Sequence, residues 1–506
     1  MAIDLDRLTP VERAQRQRRR WRWAIILAVI AALFYYFVVA NEYVVAHTDP
    51  QDHFKYGSIG SEVANGLPLD VFKALPVMYR DRLGPEGWKS FGLLYEDGED
   101  LPVGFSRRIA LGVERVWLNC SVCHVGTYSL PGESERHMIL GAPSNNLRLQ
   151  DMILFLLDVG KDPGFTADAL ITAINSDQVD GHLNVLERQI YRLVVYPRLK
   201  EALLTLNGQL DFVRRQAPWG PGRVDTFNPY KSIQFNFPMG PEAISDVALN
   251  ASSDYPSLWM QAPRAGMNLH WDGNNSSIAE RNLSAALGAG VTPVTVDRAA
   301  IARIEDWMRS LPPPAYPEPD TIDLAAAEEG AGLFAEYCAE CHGIGGSAGY
   351  DYSRDRHPYL GQVVALPAIG TDPGRWASYT PDFSAAQNTL YAGYPWRFRH
   401  FRKTDGYANH PLDGIWARSP YLHNGSVPTL RDLLEPASAR PRVWYRGSDE
   451  FDPVRVGYRS DKAGGGAFVY DTSVPGNGNE GHEGRAYGTD LTDAQKDALV
   501  EYMKTL

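Results

Sequence analysis

The sequence predicts a mainly α-helical protein in which two similar domains follow one apolar N-terminal helix. Three observations support this prediction. A Cys-x-x-Cys-His motif occurs twice, once in each half of the 506-residue chain. Segments with helical periodicity precede the motifs, and an amphipathic segment closes each half. Finally, residues 23–40 form an uncharged and strongly apolar run of 18 residues ahead of both halves.

The N-terminal segment combines a basic cluster with this apolar run. Residues 1–22 carry five arginines close together, namely Arg16, Arg18, Arg19, Arg20 and Arg22. A run of 18 apolar residues is at the lower end of the length that spans a bilayer, and the arginines would hold residues 1–22 in the cytoplasm. We therefore predict a single-pass anchor at 23–40 in the bacterial inner membrane, with the remainder in the periplasm. A cleaved signal peptide is the alternative.

Composition sets the broad class of protein. The chain is 44% hydrophobic and 22% charged, so it is globular and long enough for two or three cores. Its formal net charge of -12 argues against a nucleic-acid partner, which usually meets a basic surface. An acidic surface either meets a basic redox partner or serves solubility alone.

The two Cys-x-x-Cys-His motifs contain every cysteine of the chain. Their residues are Cys120, Cys123 and His124, and Cys338, Cys341 and His342. A zinc site would require both motifs to converge on one ion, and disulfides would leave the two histidines unexplained. Two thiols at this spacing can instead form thioethers with haem, and the following histidine then binds the iron. We predict two covalently bound haem c groups, with His124 and His342 as iron ligands.

The helical segments define the predicted domains. After the anchor, residues 41–315 form a first haem domain, 316–323 a proline-rich linker and 324–506 a second haem domain. The segment TIDLAAAEEGAGLFAEYCAECHG reads as a helix that runs into the second motif, and LTDAQKDALVEYMKTL, with Thr492 as N-cap, as the closing helix. The segment RIALGVERVWLNCSVCH is expected to play the same part in the first domain, which VDRAAIARIEDWMRSL closes. This arrangement is similar to the class I cytochrome c fold, present twice.

Long insertions distinguish both domains from a minimal cytochrome. They include aromatic- and glycine-rich stretches such as RVDTFNPYKSIQFNFPMGPE and DYPSLWMQAPRAGMNLHWDGNN, which carry turn signals and little helical periodicity. Such loop-rich material either builds a pocket over a haem or only packs around it.

The second ligand of each iron separates an electron carrier from an enzyme. After His342 the only methionine is Met503, which lies in the closing helix and is a poor candidate. The downstream histidines are His357, His400, His410, His423 and His482. His423 and His482 both occur in turn-rich loops, and composition does not choose between them.

Three sequence strings resemble a known group of proteins. DGIWARSPYLHNGSVPTLRDLL resembles a segment of the bacterial diheme cytochrome c peroxidases and their relatives, and its LHNGSVPTL part resembles the diheme rubber oxygenases in particular. LHWDGNNSSIAERNLSAALGAGVTPV and NEGHEGRAYGT also resemble the oxygenases. This resemblance implies a bis-histidine C-terminal haem whose second ligand is His482. His423 is then expected to form a hydrogen bond beside the haem, with a haem propionate as its partner.

The same resemblance implies that the haem held by His124 is the reactive one. Trp271 is then expected between or beside the haems, where its ring would relay electrons, and Ala285, Ala286 and Leu287 would wall the pocket opposite His124. His124 and Trp271 are thus the candidate catalytic residues. The alternative is that Trp271 is only a core residue.

The function expected from these observations is that of a membrane-anchored periplasmic oxidoreductase. Its N-terminal haem would add O2 across an electron-rich double bond of an apolar organic substrate. Two alternatives are open: a cytochrome c peroxidase that reduces H2O2, and an electron-transfer protein that links a redox partner protein to a membrane electron-transfer chain. No nucleic acid is expected to take part.

Overall fold

A computed structural model describes residues 9–35, 43–110, 112–179, 181–346, 349–461 and 468–506. The first element is α1 (Pro10–Phe34), which begins with a capping box between Thr9 and Glu12. Over the described ranges, no helix is both long enough and apolar enough to cross a membrane. The apolar part of α1 is short, and a longer window of the helix takes in its arginines. Residues 36–40 of the predicted anchor lie outside the described residues.

The predicted single-pass anchor is therefore wrong, and so is the predicted location as a single-pass protein of the inner membrane. The prediction of a mainly α fold is also wrong. Helices make up 43% and strands 11% of the described residues. The strands form one four-stranded sheet and several two-stranded ones, all antiparallel, so short hairpins are distributed among the helices.

The first half of the chain contains twelve further α-helices and eight strands among its described residues, besides short 3-10 and π segments. The helices are α2 (Pro50–Tyr56), α3 (Ser61–Asn65), α4 (Leu69–Met78), α5 (Arg80–Leu83), α6 (Leu149–Lys161), α7 (Ala167–Ile174), α8 (Val185–Ile190), α9 (Tyr196–Leu210), α10 (Phe227–Phe235), α11 (Asp246–Leu249), α12 (Ile278–Gly288) and α13 (Arg298–Met308). The strands are β1 (Tyr43–Val44), β2 (Leu67–Pro68), β3 (Phe105–Ala110), β4 (Val113–Leu118), β5 (Val125–Tyr128), β6 (His137–Leu140), β7 (Arg223–Val224) and β8 (Ser253–Asp254).

The largest sheet replaces the helix that was expected before the first motif. Its strand order is β1-β3-β4-β2, and β3 and β4 form a hairpin over the segment RIALGVERVWL. Gly112 at the tip has φ of +73°, which glycine adopts readily. Val113, Val116 and Trp117 are residue types that favour strands. The prediction of a helix here was wrong because side-chain type and the turn outweighed the apparent helical period.

The second half continues with α14 (Leu324–Tyr337), α15 (Ala339–His342), α16 (Leu366–Ile369), α17 (Gly374–Ser378), α18 (Pro381–Gln387), α19 (Leu430–Leu433) and α20 (Asp493–Met503). Its strands are β9 (Val363–Ala365), β10 (Gly406–Ala408), β11 (Val443–Arg446), β12 (Phe451–Asp452), β13 (Gly457–Tyr458) and β14 (Phe468–Asp471). Helices α14 and α20 pack closely, and Gly330 lies directly against the Ala498 carbonyl. Thr492 caps α20 through Gln495, as the sequence predicted.

The two halves of the chain share a hydrophobic core. Phe54 and Leu283 of the first half pack in one cluster with Tyr379, Phe383 and Phe398 of the second. Buried ion pairs also join the halves, namely Arg264 with Asp413, Asp272 with Arg375, and Asp254 with Arg446. The loops that carry the two motifs are thus held in one packed body.

Candidate haem sites

The first motif lies in the connection between β4 and β5. A 3-10 turn at Cys120–Val122 is capped by the Asn119 side chain, which accepts a hydrogen bond from the Ser121 N–H at 3.0 Å. The His124 Nδ1 lies 3.0 Å from the Pro256 carbonyl oxygen, so Nδ1 carries the proton and donates it. The other ring nitrogen, Nε2, is then a lone-pair donor of the kind that binds metals.

A large cavity surrounds this motif. Its volume is about 1030 Å³, and its walls include the motif, faces of α6, α9, α10 and α12, and the segments around Tyr255 and His270. Burial raises the pKa of Cys120 to about 11 and of Cys123 to about 12. Burial, with Arg281 nearby, lowers the pKa of His124 to about 4. The site thus presents two neutral thiols and a neutral imidazole to a cavity at the upper end of the ~300–1,000 Å³ range of ligand pockets. Both this set of side chains and the size of the cavity fit a haem.

The second motif follows α14 and occupies α15. The His342 Nδ1 donates to the His410 carbonyl oxygen at 2.8 Å, an arrangement that matches His124. Burial lowers the pKa of His342. Its ring faces the His482 ring, and the two ring centroids lie 6.3 Å apart. Two imidazoles on opposite sides of one metal ion, each with a metal–nitrogen distance of about 2 Å, would have centroids about 6 Å apart.

His482 is held in place by its backbone. Its N–H donates to the Ile369 carbonyl at 2.8 Å, its carbonyl accepts from Arg440 at 3.1 Å, and its φ of +47° is uncommon for a residue other than glycine. Burial lowers the pKa of His482 to about 3, so the ring is neutral. The Nδ1 atom is buried and has no hydrogen-bond partner among the described residues. The pair His342 and His482 therefore fits a six-coordinate haem iron.

The structure places His423 elsewhere. Its ring is buried and stacks on Tyr407, with centroids 4.2 Å apart. The Tyr407 hydroxyl donates to the Asp372 carbonyl at 2.7 Å, so at 3.1 Å the His423 Nε2 must donate to the Tyr407 oxygen. The His423 Nε2 is thus bonded to Tyr407, and a hydrogen bond from His423 to a haem propionate stays a prediction. Of the two candidate histidines, only His482 faces His342.

The segment from Tyr407 to His423 also carries the family likeness. Residues 406–445 match the RoxA-like, cytochrome c-like family model. A cytochrome c-like domain implies covalently bound haem c, and the match suggests a haem-binding cytochrome. This RoxA-like segment supplies both His410, whose carbonyl fixes His342, and the loop of His423.

Two relatives come from Sinorhizobium fredii (strain NBRC 101917 / NGR234). Uncharacterized protein y4iJ is 28% identical over 519 aligned residues, which cover 82% of this chain and 84% of the relative. Uncharacterized protein y4iM is 32% identical over 297 residues, which cover 50% of this chain and 64% of the relative.

Trp271 lies at the cavity wall, close to the RoxA-like segment. Its indole N–H donates to the Asp254 carbonyl at 2.8 Å, and its ring meets the His410 ring edge-on with centroids 5.6 Å apart. Because the His410 carbonyl binds His342, Trp271 connects the first cavity with the second motif through one intervening residue. Of the predicted wall residues, Ala285 and Leu287 line the cavity, while Ala286 is buried in the neighbouring core.

Two residues of the cavity were missed by sequence reasoning. His270 and Arg281 both line it, although neither was singled out. A signal for them existed, since the polar string HWDGNN interrupts a largely apolar stretch and Arg281 lies on the helix expected to wall the pocket. What the sequence could not give was the direction in which these side chains point.

Proposed function

We propose that this chain is an oxidoreductase with two haem c groups of unequal roles. The haem at His124 reacts with an oxygen species, and the haem at His342 stores or delivers an electron. One observation carries the proposal: His342 faces a second imidazole at 6.3 Å, whereas His124 opens onto a cavity of about 1030 Å³. A bound haem supplies the redox-active iron, and an open position on that iron allows catalysis.

The pair of histidines suits the haem at His342 to electron transfer. Both imidazoles are neutral in the fold because burial lowers the pKa of each. If both His342 and His482 held the iron, no position on it would be left for a substrate, and the haem would supply electron transfer alone. His482 and His342 would hold it in one geometry in both redox states.

The cavity at His124 suits a reaction with O2 and an apolar organic substrate that contains an electron-rich double bond. Its wall is largely aliphatic, with Ile153, Leu199 and Leu206 among the lining residues. These side chains exclude water and leave an organic substrate beside the haem. His124 holds the haem through Nε2 while its Nδ1 stays fixed on the Pro256 carbonyl.

Trp271 would carry electrons between the two sites. Its ring borders the first cavity and contacts His410, and the His410 carbonyl is hydrogen-bonded to His342 at 2.8 Å. The acidic chain, with a formal net charge of -12, would draw the electrons from a basic redox partner protein.

Reduction of hydrogen peroxide is a second candidate function. The observation that favours it is the presence of a histidine and an arginine, His270 and Arg281, among the residues that line the cavity. Peroxide chemistry needs a residue that moves a proton, and the O2 reaction with an alkene does not.

Spectroscopy of the haem-loaded protein tests the proposal. We expect two haems per chain, one low-spin with two histidine ligands and one that binds CO and cyanide. Consumption of O2 with an alkene or of H2O2 with a reductant would then distinguish the two candidate reactions. Two low-spin haems that bind neither CO nor cyanide would contradict the proposal and indicate an electron-transfer protein.

A further inference from the structure

We propose that His270 is the proton-accepting residue of the cavity at His124, positioned by Asn274 and assisted by the positive charge of Arg281. The ligand that it serves is a small neutral acid of the hydroperoxide class. This inference rests on the haem placed at His124 by the proposed function. It does not depend on the roles of His482 or Trp271.

A buried chain of hydrogen bonds fixes the tautomer of His270. Asp272 forms a buried ion pair with Arg375 at 3.1 Å. Because a carboxylate only accepts hydrogen bonds, the Asn274 atom that lies 2.9 Å from Asp272 is the amide nitrogen. The Asn274 oxygen therefore faces the His270 Nδ1 at 2.6 Å and accepts its proton. The His270 Nε2 is left with a free lone pair.

The free nitrogen belongs to a ring in the cavity wall. His270 lines the cavity, and its Nε2 has no hydrogen-bond partner within the described ranges. Burial, helped by Arg375 and Arg281, lowers the pKa of His270 to about 3, so the lone pair stays available at neutral pH. The His270 carbonyl accepts from the His410 Nε2 at 3.1 Å, which holds the backbone at this point.

Arg281 brings a cation without a carboxylate to the same cavity. Its guanidinium donates only to the Asn282 side-chain oxygen, at 3.1 and 2.9 Å, and no Asp or Glu lies within 4 Å of it among the described residues. Burial lowers its pKa to about 10, so it remains charged at neutral pH. A buried cation whose hydrogen bonds go to a neutral amide, with the Glu305 carboxylate bonded to that amide at 3.1 Å, still favours an anion beside it. It would stabilise the anion left when His270 takes a proton.

His270 is placed to serve a ligand on the iron and not the iron itself. The ring neighbour of His124 in the described structure is Tyr255, at 6.0 Å between centroids. His124 and His270 do not form the facing pair that His342 and His482 form at 6.3 Å. The step assigned to His270 is a single proton transfer, from the oxygen or carbon acid of the incoming ligand to Nε2, and it leaves the ligand as an anion.

The test uses cyanide as the probe on the haem-loaded full chain. Hydrogen cyanide must lose its proton when it binds as an anion, whereas carbon monoxide binds without proton transfer. We expect His270→Leu to slow cyanide association by about 10²-fold or more, the range of general-base catalysis, and to leave CO association unchanged. Asn274→Leu removes the acceptor that fixes the His270 tautomer, and we expect it to slow cyanide association to a smaller extent. His182→Leu at an exposed position is the matched control and should behave as wild type.

The outcomes separate this inference from the proposed function. If wild type binds neither CO nor cyanide, the proposed function fails and the inference falls with it. If wild type binds cyanide and His270→Leu binds it at the same rate, the inference alone is overturned. A change from low-spin to high-spin in His270→Leu would make His270 an iron ligand, which also overturns it. His270→Gln, which keeps the volume, repeats the test if the leucine variant does not fold.

Discussion

Each histidine that faces the two haem sites is kept neutral and is oriented by a contact outside the site. His124 and His342 donate Nδ1–H to backbone carbonyls at 3.0 and 2.8 Å, and His270 donates to Asn274 at 2.6 Å. Such partners fix which nitrogen carries the lone pair. His270 and His482 also have positive φ values, so the backbone itself directs these two rings.

The residue that distinguishes the two candidate haem sites is His482. We predict that His482→Ala converts the haem at His342 from low-spin to high-spin, because it removes the imidazole that lies 6.3 Å from the His342 ring. Electron paramagnetic resonance of the oxidised protein would record the change. His423→Ala is the matched control and should leave both haem signals in place, since the His423 Nε2 is bonded to Tyr407. An unchanged spectrum in His482→Ala would assign the second ligand to another residue.

His423 should also make the stability of the fold sensitive to acid. Burial lowers its pKa well below the ordinary value, so the neutral form is favoured in the fold. The unfolded chain takes up a proton below about pH 6.5, so this stabilisation is complete above that pH and is lost as the pH falls. Between pH 6.5 and pH 5, the free energy of unfolding falls by up to about 2 kcal/mol on account of His423.

His423→Gln tests this dependence, because Gln keeps an N–H donor for Tyr407 and does not titrate. We predict that its free energy of unfolding falls less between pH 7 and pH 5 than that of wild type. Urea denaturation at the two pH values measures the difference. Equal losses in the two proteins would show that His423 is not the group that takes up the proton.

At the scale of elements, the close packing of α14 against α20 can be tested by its effect on stability. Gly330 in α14 lies so close to α20 that a Cβ atom there would come within 2.0 Å of the Ala498 carbonyl oxygen. We predict that Gly330→Ala lowers the free energy of unfolding by about 1–3 kcal/mol, since one helix must shift.

Gly332 is the matched control on the same helix. No neighbouring side chain or element lies within 4 Å of the position that a Cβ atom would take there, and the residue is exposed. Gly332→Ala should raise the free energy of unfolding by about 0.5–1 kcal/mol, because alanine favours helix more than glycine. Thermal or urea unfolding measures both variants. A loss of stability in Gly332→Ala equal to that in Gly330→Ala would contradict the packing argument.

At the scale of the whole molecule, the two haem segments depend on one shared core. Asp413 of the second half accepts from Arg264 of the first half at 2.5 Å and from Arg418 at 2.9 Å, and its side chain is 1% exposed. We predict that Asp413→Asn lowers the free energy of unfolding by about 3–5 kcal/mol, because it leaves two buried cations without a counter-charge.

Asp497→Asn provides the comparison at the surface. Asp497 pairs with Arg431 at 2.7 Å, but its side chain is 67% exposed. Loss of an exposed pair should lower the free energy of unfolding by less than about 1 kcal/mol.

Chemical denaturation, followed by the absorbance of each haem, would also show whether both halves of the chain unfold together. Separate transitions at different denaturant concentrations would contradict the shared core.

The sequence alone determined the features that are local. The two Cys-x-x-Cys-His motifs predicted haem attachment, and the RoxA-like match supports haem c. Thr492 predicted the start of the last helix, because a cap acts within four residues. Local pattern also misled: a strand-forming segment with a turn at Gly112 was interpreted as a helix. The N-terminal run was interpreted as a membrane span, but no helix of the described residues is both long and apolar enough to form one.

The tertiary structure decided everything that depends on distant segments. His342 and His482 are 140 positions apart in the numbering, and only folding brings their rings to 6.3 Å. The cavity at His124 is enclosed by segments from residue 64 to residue 401, so no local pattern describes it. The direction of the His270 lone pair depends on a hydrogen-bonded chain that ends at Arg375 of the other half. Residue types specify which chemistry is possible, and long-range packing specifies which atoms meet.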